Sequence, residues 1–273
     1  MSRPLDGQRA IVVGGGSGIG FASARLLARD GAIVTLAGRT EEKLRRAVES
    51  LEGQGLAASW VVCDAMRGDE VRAAVDAASD AERRLHLAVV VPGGGSITPV
   101  LLYGDDAFSA EVDRNVRPVY LCVKYAGRAM VRAGHGSFVG VSSSAAAFSS
   151  RYLAAYGAGK AAVDQLVKVA ADELGRYGVR ANTVRPGLTR TDATAQALTN
   201  DGMRAAFVDG QPIARTGEAE DIAQAVRYLV GPESSWVTGQ CLSVDGGHTL
   251  RAFVDYEGLI ELPDQGDAAK ADP

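Results

Sequence analysis

The stretch Ala10-Ile11-Val12-Val13-Gly14-Gly15-Gly16-Ser17-Gly18-Ile19-Gly20 decides how this chain is read. Ala10–Val13 is a continuous apolar run rich in β-branched residues, the signature of a strand covered on both faces. It passes directly into glycines, and a helical pattern follows over Ile19–Arg29. At such a turn the backbone N–H groups of a helix N-terminus are free to hold an anion. Only glycine combines the tight turn with close backbone approach to a pyrophosphate. The spacing Gly14-x3-Gly18-x-Gly20 is not the literal GxGxxG fingerprint. Taken alone, it also suits an ordinary flexible strand–helix turn.

Outward from this turn, short apolar runs alternate with longer helical patterns. Strands are expected at Ala10–Val13, Ile33–Ala37, Trp60–Cys63, Leu87–Val91, Ser137–Val141, Arg180–Val184 and Leu242–Val244. Helices are expected near Ile19–Arg29, Glu41–Leu51, Glu70–Ala81, Asp106–Val131, Tyr152–Leu174 and Asp221–Leu229. The alternation predicts an α/β fold, a single doubly wound (Rossmann-type) parallel sheet of about seven strands with helices on both faces. No Pro/Ser-rich linker divides the chain, so residues 1–262 read as one domain. The polar, small-residue tail 263–273 reads as disordered.

The chain has 273 residues, of which 47% are hydrophobic and 23% charged, enough apolar material for a full core and too much for a disordered protein. A net charge of −4 without a basic run speaks against a nucleic-acid surface. Cys63, Cys122 and Cys241 are odd in number and unclustered, which suits neither a disulfide framework nor a metal site. The N-terminus lacks the pattern of a signal peptide, and no apolar run approaches the roughly 20 residues of a membrane helix. The expectation is a cytoplasmic protein without membrane or metal partners.

Where the second strand ends, Gly38-Arg39 leaves empty the place of a ribose-binding carboxylate and supplies a cation suited to a 2′-phosphate. NADP(H) is therefore favoured, with NAD(H) possible; Arg39 is equally readable as a solvated loop residue. Asp64, after the third strand, is placed to meet an adenine amino group, to cap the N-terminus of the following helix, or both. In Tyr156-Gly157-Ala158-Gly159-Lys160 the i,i+4 spacing sets a phenol and an ammonium on one helix face. A nearby ammonium favours the phenolate, making the pair a candidate acid/base catalyst. Thirteen residues upstream, Ser143 stands at the carboxyl end of the fifth strand, where a hydroxyl can donate to a substrate oxygen. Asn115 lies on an amphipathic helix whose Pro118 removes a backbone donor. It is readable as a locally satisfied amide or as the neighbour of an ordered water.

Together these residues resemble the short-chain dehydrogenase/reductase family, in its shorter single-domain subgroup. The likeness covers roughly residues 6–250 and includes Pro186-Gly187 and Asp245-Gly246-Gly247. It implies that Tyr156 is the general acid/base, that Lys160 lowers its pKa and binds the nicotinamide ribose, that Ser143 orients the carbonyl and that Asn115 supports a proton-relay water. It implies a dinucleotide site made of Gly14, Gly16, Ser17, Gly18, Ile19, Gly20, Arg39, Asp64, Ala65, Gly93, Tyr156, Lys160, Pro186, Gly187, Leu188 and Thr191. The implied reaction interconverts a small-molecule carbonyl and an alcohol by hydride transfer. The implied assembly is a homotetramer, or a dimer, with helices Asp106–Val131 and Tyr152–Leu174 pairing across a two-fold axis.

Two departures stand out. Val13 replaces the threonine usual before the first loop glycine, and Val90-Val91-Pro92-Gly93 replaces the usual Asn-Asn-Ala-Gly. The fourth strand is then expected to rely on apolar packing. The altered segment motivates an alternative reading, a catalytically silent nucleotide-binding regulator. An enoyl reductase would need its tyrosine at position 153, which is Leu153. Residues Leu188–Pro212 are expected to form a lid over a moderately apolar pocket, opposite Ser96, Ala145, Ala147 and Tyr152. Beyond the family's usual end, Leu250–Leu262 with Phe253, Tyr256, Leu259 and Ile260 are expected either to close a neighbouring subunit's site or to cover their own subunit.

Overall fold

The computed structural model describes residues 3–251 together with 258, 259 and 261. The seven strands expected from the sequence form one sheet in the order β3-β2-β1-β4-β5-β6-β9, every pairing parallel. They are β1 (Arg9–Val13), β2 (Ile33–Gly38), β3 (Ala58–Val62), β4 (Leu87–Val90), β5 (Gly136–Val141), β6 (Val179–Pro186) and β9 (Cys241–Val244). The connecting helices are α1 (Gly18–Arg29), α2 (Glu41–Glu52), α3 (Gly68–Ala78), α4 (Asp105–Ala133), α5 (Ala154–Gly175) and α8 (Ala219–Val230). Strand order reverses between β1 and β4, and a crevice opens there at the carboxyl ends of the strands, where ligands bind in such sheets.

Two apolar clusters cover the sheet. One packs α3, α4 and α5 against it through Val71, Val119, Met130, Phe138, Val163 and Val167. The other packs α1, α2 and α8 through Leu27, Leu36, Leu44, Val48, Ile222 and Val226. The central strands are buried on both faces, which is why β1 and β4 read as unbroken apolar runs. All four side chains of β4 are within 2% of full burial, so apolar packing holds this strand, as its sequence implies.

The α4 helix runs unbroken through Pro118 and ends at Gly134, whose φ of +74° is the left-handed cap that glycine adopts at no steric cost. Burial of Arg180 disfavours its charge, and the guanidinium answers by donating to the carbonyls of Leu229 and Val237 at 2.8 and 3.2 Å and to those of Val230 and Gly231. It thereby satisfies orphan carbonyls at the α8 terminus.

Three local differences from the sequence expectation have physical causes. Tyr152 has a φ of +67° and its carbonyl accepts from Thr98 N–H at 2.7 Å, so α5 begins at Ala154 rather than at Tyr152. The β6 strand continues to Pro186 because β9 pairs with its last residues. The segment after it holds a two-residue parallel ladder, β7 (Thr189–Arg190) with β8 (Gly217–Glu218), too short for any periodicity to reveal. Between them lie α6 (Ala195–Leu198) and α7 (Asp201–Asp209). Asn200 caps α7 by accepting from Met203 N–H at 2.9 Å. The expectations for residues 263–273, Phe253, Tyr256 and Ile260 lie outside the described residues. No helix among the described residues is long and apolar enough to cross a membrane.

Candidate active site

The first wall of the crevice is the glycine turn. Gly14 has a φ of +83°, and a side chain there would meet Val91 O at 2.8 Å. A side chain at Gly20 would be driven into the Gly14 carbonyl, and one on Gly16 would press on Lys43. Ser17 occupies the N-cap position of α1 without using its hydroxyl as a cap. The turn thus presents free N–H groups and an unspent hydroxyl in a cradle that side chains would fill, which fits a dinucleotide pyrophosphate. Gly18 follows at φ +53°, facing Thr191 from the other wall, and Ile19 packs into the second apolar cluster.

Arg39 is exposed immediately after β2 and makes no ion pair among the described residues. Asp64 is used locally: its Oδ1 accepts from Met66 N–H at 3.0 Å, while its own N–H donates to Glu70 Oε2 at 2.7 Å. The N-cap position of α3 falls to Arg67, so the helix-capping expectation for Asp64 is corrected to a local turn, and its second carboxylate oxygen stays outside that bond. Ala65 packs against the first apolar cluster. Pro186 ends β6, and Gly187 N–H donates to Val244 O at 3.1 Å. Leu188 joins the apolar cluster around Tyr156, and Thr191 bonds Thr194.

Tyr156 lies in the first turns of α5, and Ser143 ends the β5 edge as N-cap of a short 3-10 turn, Ser144–Ala146. The two hydroxyls are hydrogen-bonded to each other, which favours the phenolate. Lys160 is 3% exposed, and its Nζ donates to Pro92 O and Val141 O, each at 3.1 Å. The same Nζ lies 5.6 Å from the Tyr156 ring centroid. Pro92 has lost its N–H, yet its carbonyl holds the lysine.

The expected acidification of the phenol by this ammonium is corrected by burial. Desolvation raises Tyr156 above its ordinary value, outweighing the Ser143 bond, and the nearby Glu111 charge adds to the rise. Desolvation also drives Lys160 down to about 7, with Asp164 opposing the fall.

Asn115 is fully buried. Its Nδ2 donates to Glu111 O at 3.0 Å and Gly94 O at 3.1 Å, while its Oδ1 has no partner. A buried, unpaired carbonyl oxygen suits the ordered water that the sequence left as one alternative. Gly93, at φ +73°, faces that oxygen so closely that a side chain would collide with it. The structure thus brings Asn115, Ser143, Tyr156, Lys160 and Gly93 to one end of the crevice and the glycine turn to the other.

Ile97, Tyr152, Leu153, Leu188, Met203 and Phe207 form an apolar cluster with Tyr156. Of the residues expected opposite the lid, Tyr152 belongs to it, Ala145 is buried behind Ser143, Ala147 is exposed, and Ser96 turns to Glu111. Glu111 was missed by sequence reasoning. The available signal was a carboxylate one turn before Asn115 on the buried stripe of α4.

A family model described as Enoyl-(Acyl carrier protein) reductase matches residues 14–249. The chain is 36% identical over 249 residues to the A-factor type gamma-butyrolactone 1'-reductase (1S-forming) of Streptomyces virginiae, covering 90% of this chain and 97% of that one. A short-chain type dehydrogenase/reductase from Mycobacterium ulcerans superposes with a TM-score of 0.90 at 41% identity, over 94% and 96% of the two chains. A gluconate 5-dehydrogenase from Burkholderia cenocepacia in complex with NADP and tartrate matches at TM-score 0.85 and 29% identity, over 92% and 98%. A 7α-hydroxysteroid dehydrogenase complexed with NADH and 7-oxo glycochenodeoxycholic acid matches at 0.85 and 30%, over 90% and 96%.

Proposed function

The chain belongs to the short-chain dehydrogenase/reductase family and is a nicotinamide-dependent oxidoreductase acting on CH–OH or C=O groups; on that premise we propose that Tyr156 is its general acid/base and NADP(H) its preferred dinucleotide. The observation that carries the assignment is the phenol of Tyr156, bonded to Ser143 at the carboxyl edge of β5 with Lys160 one helical turn behind.

The turn Gly14–Gly20, with the Ser17 hydroxyl and the N–H groups of Gly18 and Ile19, would hold the pyrophosphate. Arg39 would meet the 2′-phosphate, and Asp64, Ala65 and Gly93 the adenosine. Lys160 would hold the nicotinamide ribose, and Pro186, Gly187, Leu188 and Thr191 the carboxamide and nearby phosphates. When bound, the nicotinamide supplies the hydride in reduction and accepts it in oxidation. Ser143 donates to the substrate oxygen and shares its developing charge. Tyr156 gives that oxygen its proton, or takes one in the reverse direction. A phenol raised by burial is a proton donor at neutral pH, and Lys160, near 7, is suited to return the proton. The unpaired Oδ1 of Asn115 would support a water able to relay protons toward this lysine.

Burial in the cluster of Leu153, Met203 and Phe207 favours a moderately apolar carbonyl or alcohol as substrate. Leu153 also supports carbonyl over enoyl chemistry, because it offers no hydroxyl at the earlier position. The proposed setting is cytoplasmic and the proposed assembly a homotetramer, in which α4 and α5 meet their counterparts. The exposed Tyr120 and Val169 on those helices favour it.

The test is a screen of carbonyls and alcohols with both nicotinamides, followed by Tyr156→Phe. The expected result is a loss of about 10²–10⁴ in kcat/KM with dinucleotide affinity within about threefold of the parent. Undiminished turnover in Tyr156→Phe overturns the assignment.

A further inference from the structure

On α4, one turn before Asn115, Glu111 is 3% exposed, a carboxylate buried beside the catalytic phenol with no part in the steps above. It is well partnered. Ser96 N–H reaches both of its oxygens at 3.2 Å, and Ser96 Oγ donates to Oε2 at 2.8 Å. Tyr103 OH lies 3.4 Å from Oε1, and the half-exposed Arg114 guanidinium 3.3 Å from Oε2. Asn115 Nδ2 joins Glu111 O to Gly94 O. The segment Gly94–Ser96 therefore hangs from two successive turns of α4, its first end on the amide and its last on the carboxylate.

Between those attachments, Gly95 lies flat against Tyr156. A side chain there would stand 2.6 Å from the ring's Cγ and Cδ2. The ring's position thus depends on where this backbone runs. Glycines lose more freedom on ordering than any other residue and bring no side chain to anchor themselves. Gly93-Gly94-Gly95 consequently needs a partner from outside. At its end the segment presents an N–H and a hydroxyl, both donors, and a carboxylate accepts both at once.

We propose that Glu111 is a positioning residue for Tyr156: it fixes the Gly94–Ser96 backbone against the phenol ring and places a negative charge near the phenol. This rests on Tyr156 being the acid/base. The charge opposes phenolate formation, which agrees in direction with the raised proton affinity of Tyr156. Arg114 and Lys160 are the cations facing this cluster, and Tyr103 and Ser96 its neutral neighbours.

Glu111→Gln keeps an acceptor toward Ser96 and removes the charge. Titrating the ultraviolet phenolate band of Tyr156, isolated by subtracting the Tyr156→Phe spectrum, is expected to give a midpoint lowered by about half a pH unit or more. The alkaline-rising limb of alcohol oxidation moves the same way. Glu111→Leu removes both charge and anchor, and kcat is expected to fall tenfold or more, by an order-of-magnitude estimate for a misplaced catalytic group, with the dinucleotide KM nearly unmoved. A Glu111→Gln midpoint coinciding with the parent's overturns the proposal, because a merely structural carboxylate alters stability without moving the phenol. Where Glu111→Gln or Glu111→Leu does not fold, Ser96→Ala probes the same anchor, and an unchanged kcat there overturns it equally. The titration needs no substrate. A shifted midpoint in a protein that fails the substrate screen would preserve this inference and remove the proposed function, and the reverse result would do the opposite.

Discussion

The turn after β1 and the turn after β4 touch across the crevice and are both rich in glycine, yet the first is walled by main-chain carbonyls and the second by side chains of α4 and α5. At Gly20 and Gly14 the atoms that exclude a side chain are main-chain carbonyls, which cannot swing aside. At Gly93 and Gly95 they belong to Asn115 and to the Tyr156 ring. A turn walled by backbone presents fixed N–H groups to an anion. A turn held by side chains transmits its position to those side chains, and one of them is Tyr156, the proposed acid/base.

Substitution at matched glycines breaks this comparison most directly. Gly20→Ala forces a methyl group into backbone and is expected to cost about 2–3 kcal/mol in the cradle, hence roughly 30- to 150-fold in dinucleotide affinity by equilibrium titration. Affinity within a factor of three of the parent would show that the cradle is not self-locked. Gly95→Ala displaces a ring instead, and the expected loss is about tenfold in kcat with dinucleotide affinity nearly intact. Equal losses of affinity in both variants would erase the distinction between the turns.

A smaller effect is expected from Arg39→Ala. Removing one charge-assisted contact of about 1.5 kcal/mol lowers kcat/KM for NADPH roughly tenfold and leaves NADH unchanged. Matched losses for both dinucleotides would place Arg39 outside the cradle's contacts.

The smallest effect tests what the second turn does to Lys160, which Pro92 O grips. Folding depresses this lysine to about 7, so between pH 7 and its ordinary 10.5 the unfolded chain binds more protons than the native one. Stability due to this residue therefore rises with pH across that window and is lowest below pH 7. Lys160→Met abolishes the dependence. Its Tm relative to the parent is expected to fall by about 3 °C or more from pH 6 to pH 9, read by calorimetry. A constant difference would mean that the native lysine keeps its ordinary proton affinity.

The parallel sheet, the glycine turn and the Tyr156–Lys160 pair were legible in the sequence because each rests on a pattern of neighbouring residues along the chain. What escaped depended on elements meeting. The tyrosine's proton affinity is governed by how deeply α5 and its surroundings bury it, which no i,i+4 rule conveys. Glu111 acts through Ser96, fifteen positions away, and the pairing exists only once the β4–α4 connection folds back on its helix. Tyr152 in the left-handed region carried no warning, since the residue is neither glycine nor asparagine. Pro92 read as the loss of a donor, whereas its contribution is an acceptor.

The two-residue ladder of β7 and β8 has its own consequence. Thr189 pairs with Gly217 and Arg190 with Glu218, and Arg190 also reaches Glu218 through its side chain at 3.2 Å. The excursion carrying α6 and α7 is therefore stitched across its base by this seam. Most of the closure entropy of that long insertion is met at its base, where only a few backbone bonds are needed. Its tip is free to vary in sequence and length without unpicking the sheet. The segment proposed to meet the substrate is thereby stitched at its base by a ladder separate from the seven-stranded sheet.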